Sequence, residues 1–412
     1  MKIAVFYPWT DILERNSGSS LRTGFMIDAL SDAGHELTVV APCIWPDVTV
    51  NGVRYTSFGH RRWNRYIVSK IAYMYHILFS ILTFGRSKSE DLVFWMHYDP
   101  SFLSSYFVDC VENVTNWADA VIIEYTFWGS QITKVCRRKN KKTVITALDV
   151  LHLQITKSSL MRKLTMRAEL KALKGADHVA CVSSDDQETF KKHGIDSELI
   201  PHGMDMEKYR VQLPDDEIER RLNNYKGFRI PRNNVCFFVG NMYYPPNIRA
   251  AEEIKKIAQE TNSRFGANKI NFVVAGRGSR PNASGNYYYL GEVDHDLLQA
   301  LYKSADIILV PLLAGTGSSL KTIEAMGYGK MVIGTSKGFR GYPVESGVNC
   351  ILEDDLSSYA GLINEYLTNS DKRSGIEANA ARFAANYDYR ILYQKYTDLL
   401  TSQSRTHISL SK

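Results

Sequence analysis

The chain alternates short, almost wholly apolar runs with longer amphipathic ones, the pattern of strands buried on both faces and of helices that cover them. Lys2 to Tyr7 reads as a strand, Ser17 to Ser20 as a small-residue turn, Leu21 to Ala33 as an amphipathic helix and Leu37 to Ala41 as a second strand. Gly34 stands at the helix C-terminus, and the right-handed crossover rule makes the two strands parallel. Further strands are predicted at Ala120 to Glu124, Lys142 to Ala147, His178 to Val182 and Glu198 to Pro201. After a charged, turn-rich stretch, Leu213 to Asn234, read as a surface segment or linker, a second series begins. Its strands are Val235 to Gly240, Ile270 to Ala275, Tyr287 to Leu290, Asp306 to Pro311, Met331 to Gly334 and Asn349 to Leu352, with helices such as Asn247 to Glu260 and His295 to Ser304. Two successive doubly wound α/β domains are therefore expected, with a boundary near 205–230 and ligands at the carboxyl ends of the strands, in a cleft between the domains.

A length of 412 residues accommodates two such domains, and 44% hydrophobic with 23% charged residues is a globular composition. The net charge of +6 is too small for wholesale polyanion binding, so no nucleic-acid partner is expected. Six dispersed cysteines form no C-x-x-C pair, which fits a reducing compartment, and the N-terminus lacks a signal-peptide core, so a cytoplasmic location is expected. Between Arg61 and Lys88 a basic, aromatic-rimmed segment leads into an apolar helical run interrupted by Lys70, His76 and Ser80. It is not expected to cross a membrane; it reads either as a helix lying on the anionic inner face of one, giving peripheral membrane contact, or as a helix buried under the first sheet.

Chemistry concentrates between Ile307 and Gly334. A strand is followed by the loop Leu312 to Gly317, a helix predicted over Ser318 to Met326 and a strand from Met331. Glycine and serine at a helix N-terminus let an anion approach unpaired amides and the positive end of the macrodipole. Lys321 and Glu324, three residues apart, share a helix face. The lysine suits diphosphate oxygens and the carboxylate suits vicinal ribose hydroxyls, which together describe a nucleoside diphosphate. An ordinary surface i,i+3 pair is the competing account. No metal is expected, because the doublets Asp185-Asp186 and Asp354-Asp355 lie in polar loops.

The ordered segments Ala176 to Ser183, Leu199 to Asp205, Val239 to Met242, Val274 to Gly278 and Gly317 to Gly329 resemble the retaining glycosyltransferases of the GT-B fold, in glycosyltransferase family 4. The resemblance implies two Rossmann-like doubly wound domains facing a central cleft: residues 1–205 for the acceptor, 206–385 for the nucleotide sugar, a helix over 386–402 crossing back to the first domain, and a tail over 403–412. It implies that Glu324 holds the nucleotide ribose and that Gly317, Ser318, Ser319 and Lys321 line the diphosphate. Two positions depart from the family. Thr316 stands where many members have the first acid of a Glu-x7-Glu pair, and Asn241 and Pro246 stand where many have an Arg-x4-Lys pair. Lys321 and Arg277 become the candidates for offsetting diphosphate charge, with Arg249 a weaker one. In the first domain the resemblance puts Asp149 and His152 beside the transferred sugar, orienting the donor or the attacking hydroxyl; a helix-capping or solvated histidine is the alternative for His152. Gly18, within Ser17 to Ser20 and close to Arg22, offers amides to the donor phosphate or the acceptor, or is a plain structural turn. Glu124 reads either as a contact to the acceptor or, the preferred account, as a helix cap. The implied activity moves a sugar from a nucleotide-diphosphate sugar to a saccharide or lipid-linked saccharide, with no cofactor beyond that co-substrate. A catalytically silent sugar-binding subunit and a nucleotide-sugar epimerase of the same architecture are the alternatives.

Overall fold

The structure, a computed structural model, describes the chain except residues 16, 43, 45, 58–92, 95, 99–104, 212, 224, 226–228, 279, 280, 316 and 403–412. The chain divides into two compact units, one formed by Met1–Gly203 together with the segment from Tyr389, the other by Met204–Asp388. The segment 61–88 lies outside the described residues.

The first unit is built on eight strands: β1 (Lys2–Phe6), β2 (Glu36–Ala41), β3 (Val48–Val50), β4 (Val53–Ser57), β5 (Ala120–Glu124), β6 (Lys142–Ala147), β7 (His178–Cys181) and β8 (Glu198–Leu199). Their order is β3-β4-β2-β1-β5-β6-β7-β8. All pair in parallel except β3 with β4, joined by Asn51 and Gly52 at φ 50° and 80°, the positive angles that a two-residue hairpin turn demands. Helices on both faces explain the unbroken apolar strands: Ala4, Phe6, Val121, Ile123 and Ile145 join a core with Val111, Ile132, Leu173 and Phe190.

The first helix begins at Gly18, three residues before the predicted start, and runs to Asp32. Ser17 is its N-cap: its Oγ accepts from Ser20 N while Ser20 Oγ accepts from Ser17 N, a capping box that draws the expected turn into the helix. Gly34 follows in the left-handed region at φ 81°. Arg22 on this helix is fully buried, its Nη1 3.0 Å from Glu124 Oε2 and its Nη2 donating to Tyr396 Oη at 2.5 Å, beneath the rings of Tyr393 and Tyr396. Glu124 therefore caps no helix, contrary to expectation. A lone guanidinium in a solvent-free site needs a counter-charge, and Glu124 supplies it while also accepting from Thr23 Oγ1. The single helix expected near the C-terminus is two, Tyr389–Leu392 and Gln394–Thr401, separated by Tyr393, whose hydroxyl accepts from Gly203 N at 2.8 Å.

The second unit has seven strands: β9 (Val235–Val239), β10 (Asn271–Ala275), β11 (Asn282–Ser284), β12 (Tyr287–Tyr289), β13 (Ile307–Val310), β14 (Met331–Gly334) and β15 (Ile351–Leu352). The order is β11-β12-β10-β9-β13-β14-β15, parallel except for β11 against β12. The stretch read as a linker holds a helix, Asp215–Asn223. Acids fill its first turn, arginines its last, and Ile218 and Leu222 are buried, so the macrodipole and one apolar edge favour it despite its charge. Among the described residues no helix is long and apolar enough to cross a membrane, and the described cysteines are free thiols.

Candidate nucleotide and sugar sites

In the second unit the strand order reverses between β9 and β13, and ligands of open α/β sheets lie outside the strand ends at such a switch point. Two loops leave it, one from Gly240 and one from Pro311. A Cβ at Gly276 would fall 1.9 Å from Gly240 O, so only glycine lets the end of β10 pass so close beneath the first loop. In the second loop Gly315 and Gly317 adopt φ 135° and 70°. The helix that follows, Leu320–Gly327, begins two residues after the predicted start. Its N-cap, Ser319, gives no side-chain cap to the amides; its Oγ accepts instead from Thr322 Oγ1 at 3.1 Å. Ser318 Oγ is buried without a hydrogen-bond partner. The Ser319 amide, expected to meet an anion, donates instead to Arg340 O at 3.1 Å; the unspent Ser318 hydroxyl and the helix amides that lack an intrahelical partner suit an anion.

Lys321 and Glu324 are half-buried and make no ion pair with each other, which removes the surface-pair account. Lys321 Nζ donates to Asn247 Oδ1 at 2.7 Å and lies 5.1 Å from the centre of the Phe238 ring. Asn247 Nδ2 donates in turn to Asn241 O at 2.9 Å, so a chain of hydrogen bonds ties the two loops together. Burial pushes Lys321 down to about 7, with Arg340 adding to the shift and Glu324 opposing it. Glu324 accepts from Tyr302 Oη at 2.9 Å. Burial pushes its carboxyl up to about 7, against the pull of that bond and of Lys321. One bound charge beside them shifts the protonation of either group.

The other donor candidates are distributed differently. Arg277 forms an exposed ion pair with Glu292 at 3.4 Å, and Arg249 is exposed on the helix Pro245–Phe265. Asn241 Oδ1 accepts from Tyr243 N within its own loop. Thr316 lies outside the described residues. The cation that does approach Lys321 is Arg340, whose guanidinium would sit 2.9 Å from a Cβ at Gly315. Sequence reasoning passed over it and over Asn247 and Tyr302, all brought in from other elements.

In the first unit the order reverses between β1 and β5. The capping box occupies the Ser20 amide and leaves those of Gly18 and Ser19 outside the cap. Tyr125 and Trp128, just beyond β5, take left-handed φ of 65° and 56°, rare for bulky residues and a mark of a constrained site. Trp9 meets Tyr125 edge-on at 5.8 Å. Burial pushes the Tyr125 hydroxyl up, and Asp149, half-buried after β6, adds to the shift.

His152 is neither solvated nor a cap: it is 4% exposed, with Nδ1 2.6 Å from Glu169 Oε2. Glu169 is fully buried and also accepts from Leu151 N at 2.9 Å. A carboxylate on Nδ1 holds the proton there and leaves Nε2 as the acceptor nitrogen. Nearby, His97 Nε2 is 2.9 Å from Thr126 Oγ1, and burial pushes its titration down. Glu169 had a sequence signal that went unread: it falls on the face of the helix Ser159–Gly175 that carries buried Met161, Thr165 and Ala172.

Comparison with known proteins bears on the fold. Residues 233–369 match the family Glycosyl transferases group 1. An uncharacterized glycosyltransferase of Methanocaldococcus jannaschii is 25% identical over 243 residues, 54% of this chain and 58% of that protein, so the match spans little more than half the relative's length. Among solved structures, sucrose-phosphate synthase of Thermosynechococcus elongatus superposes with a TM-score of 0.69 at 17% identity, covering 97% of this chain and 98% of its own. Anabaena HepE, solved in complex with UDP, does so with a TM-score of 0.66 at 15% identity over 98% and 100%. The fold is thus that of the GT-B glycosyltransferases, and its second unit carries a region matching the group 1 glycosyl transferases.

Proposed function

We propose that the chain is a retaining glycosyltransferase of family 4 that moves a sugar from a nucleotide-diphosphate donor to a hydroxyl acceptor in glycan or glycolipid assembly. The observation that carries this reading is the Lys321–Asn247–Asn241 chain at the switch point, with Glu324 on the same helix face. In this reading Glu324 accepts from the ribose hydroxyls, and the Gly317 and Ser318 amides and the Ser318 hydroxyl receive the diphosphate with Lys321. Arg340 joins Lys321 in place of the basic pair that Asn241 and Pro246 lack. As the glycosidic bond to the donor phosphate lengthens, negative charge grows on the leaving diphosphate. Preoriented donors are most effective there, each commonly worth about 2.7–4 kcal/mol of barrier. The departing phosphate oxygen takes the acceptor proton, so no carboxylate nucleophile is required. His152, its tautomer held by Glu169, and Asp149 orient sugar hydroxyls. UDP-bound HepE makes UDP the first nucleotide to test.

Isothermal titration of UDP against wild type and Lys321→Ala is expected to give micromolar binding that weakens at least tenfold. Equal, negligible binding of UDP, GDP and ADP to both proteins overturns the assignment. Release of free nucleoside diphosphate only when an acceptor is added separates transfer from epimerisation, and NMR of the product's anomeric proton reads retention.

A further inference from the structure

The charge of the chain is unevenly placed. Residues 129–176 hold twelve Lys or Arg and two acids, Asp149 and Glu169, while the whole chain is only +6, so the remainder is net negative. Glu169 is fully buried against His152. Eight of the twelve cations ride on two packed helices, Gly129–Arg138 and Ser159–Gly175, and Arg137 Nη2 donates to Gly175 O at 3.1 Å across them.

On Ser159–Gly175 the side chains at Leu160, Lys163, Arg167, Lys171 and Lys174 fall within about 80° of arc at 3.6 residues per turn. All five are exposed, and they form a stripe about 21 Å long at 1.5 Å per residue. The stripe's four cations form no ion pair among the described residues. Its first member is apolar: Leu160 is 65% exposed, the 3-10 turn before the helix presents Leu153 at 45%, and Tyr98, 38% exposed, donates its hydroxyl to Leu164 O.

We propose that this face docks on an anionic lipid surface, with the cations at the headgroups and Leu160 and Leu153 in the acyl boundary. Exposed leucines and a tyrosine beside a row of cations are what an interface rewards, since apolar burial and headgroup attraction add. Nucleic acid is disfavoured because three of the four cations in the stripe are lysines, compact point charges rather than the forked guanidinium that reads phosphates and bases. The stripe uses none of the residues assigned to the nucleotide site, so it does not depend on the proposed reaction.

The test is sedimentation of the full chain with vesicles of phosphatidylcholine alone or mixed with phosphatidylglycerol. Wild type is expected to pellet with the anionic vesicles only, and less as salt rises. Lys163→Glu/Arg167→Glu/Lys171→Glu is expected to lower partitioning at least tenfold, and Leu160→Ser about threefold, with UDP affinity unchanged. Lys255→Glu/Lys256→Glu/Lys269→Glu changes net charge equally on the second unit and is expected to leave partitioning within twofold. The proposal is overturned if wild type ignores anionic vesicles, if both triple variants bind alike, or if the stripe governs binding to a DNA duplex and not to vesicles. Should the first triple variant melt early, Leu160→Ser and Lys171→Glu singly decide, and full retention of binding in both overturns it.

Discussion

Replacing Tyr302 by phenylalanine removes one hydroxyl, the donor 2.9 Å from Glu324 Oε2. The ring's packing survives, stacked on Tyr328 at 4.6 Å and edge-on to Phe237 at 5.2 Å, in a position closed to solvent. What disappears is a bond that favours the charged carboxylate. Hydrogen bonds to charged groups are worth about 1.5–3 kcal/mol. With 1.36 kcal/mol to the pKa unit, the loss lifts Glu324 by about one to two units above its resting value of about 7. Accepting from ribose hydroxyls requires the anion. For a one-unit rise, the ionised fraction at pH 7.5 falls from about three-quarters to about one-quarter, a threefold loss of nucleoside affinity. At pH 6.5 the loss grows to about eightfold, and by pH 9 it nearly vanishes. NMR titration with uridine, which has the ribose without the diphosphate and so leaves Lys321 aside, measures this directly. Identical uridine affinities at pH 6.5, or a deficit undiminished at pH 9, would falsify the role given to the Tyr302–Glu324 bond.

Three further outcomes are expected. Because burial holds Lys321 down to about 7 and a diphosphate favours its charged form, UDP binding at pH 8 takes up a proton. Calorimetry in buffers of different ionisation heat reads this, and no uptake, or the same uptake in Lys321→Ala, counts against it. Glu124→Ala strands the buried Arg22 guanidinium and is expected to cost about 3–5 kcal/mol in urea unfolding of the first unit, whereas a loss under 1 kcal/mol contradicts the buried-pair argument. Gly276→Ala drives a methyl to 1.9 Å from Gly240 O, so it should lower the melting temperature and weaken UDP binding together by displacing the Asn241 loop. Wild-type values for both would refute that close approach.

Local pattern and through-space contact divide what the sequence disclosed from what it hid. The βα alternation, the helix His295–Ser304 and the Gly317 to Glu324 motif were readable because each is written within a few neighbouring residues. The start of the first helix was misjudged because Ser17 to Ser20 has a turn's composition, and only the reciprocal Ser17–Ser20 bonds make it a cap. The hairpin of β3 and β4 went unread although Asn51-Gly52 is a strong turn signal. Asn247, Tyr302 and Arg340 reach Lys321 and Glu324 from positions 19 to 74 residues away, and no periodicity announces such a meeting. The role of Arg22 was hidden for the same reason, since its partners Glu124 and Tyr396 are remote in the chain.

The joining of the segment from Tyr389 to residues 1–203 in one unit orders events during synthesis. Residues 1–203 leave the ribosome with Arg22 and Glu124 already made but with Tyr393 and Tyr396 still to be translated. Met204–Asp388 has its whole sheet encoded between those points and can mature first, while the nascent first unit waits with a charged pair open to water. Translation through Tyr396 thereby becomes a condition for sealing that core. A message cut short before Tyr389 yields a product with a wet, unclosed interior, a natural target for chaperones and proteases.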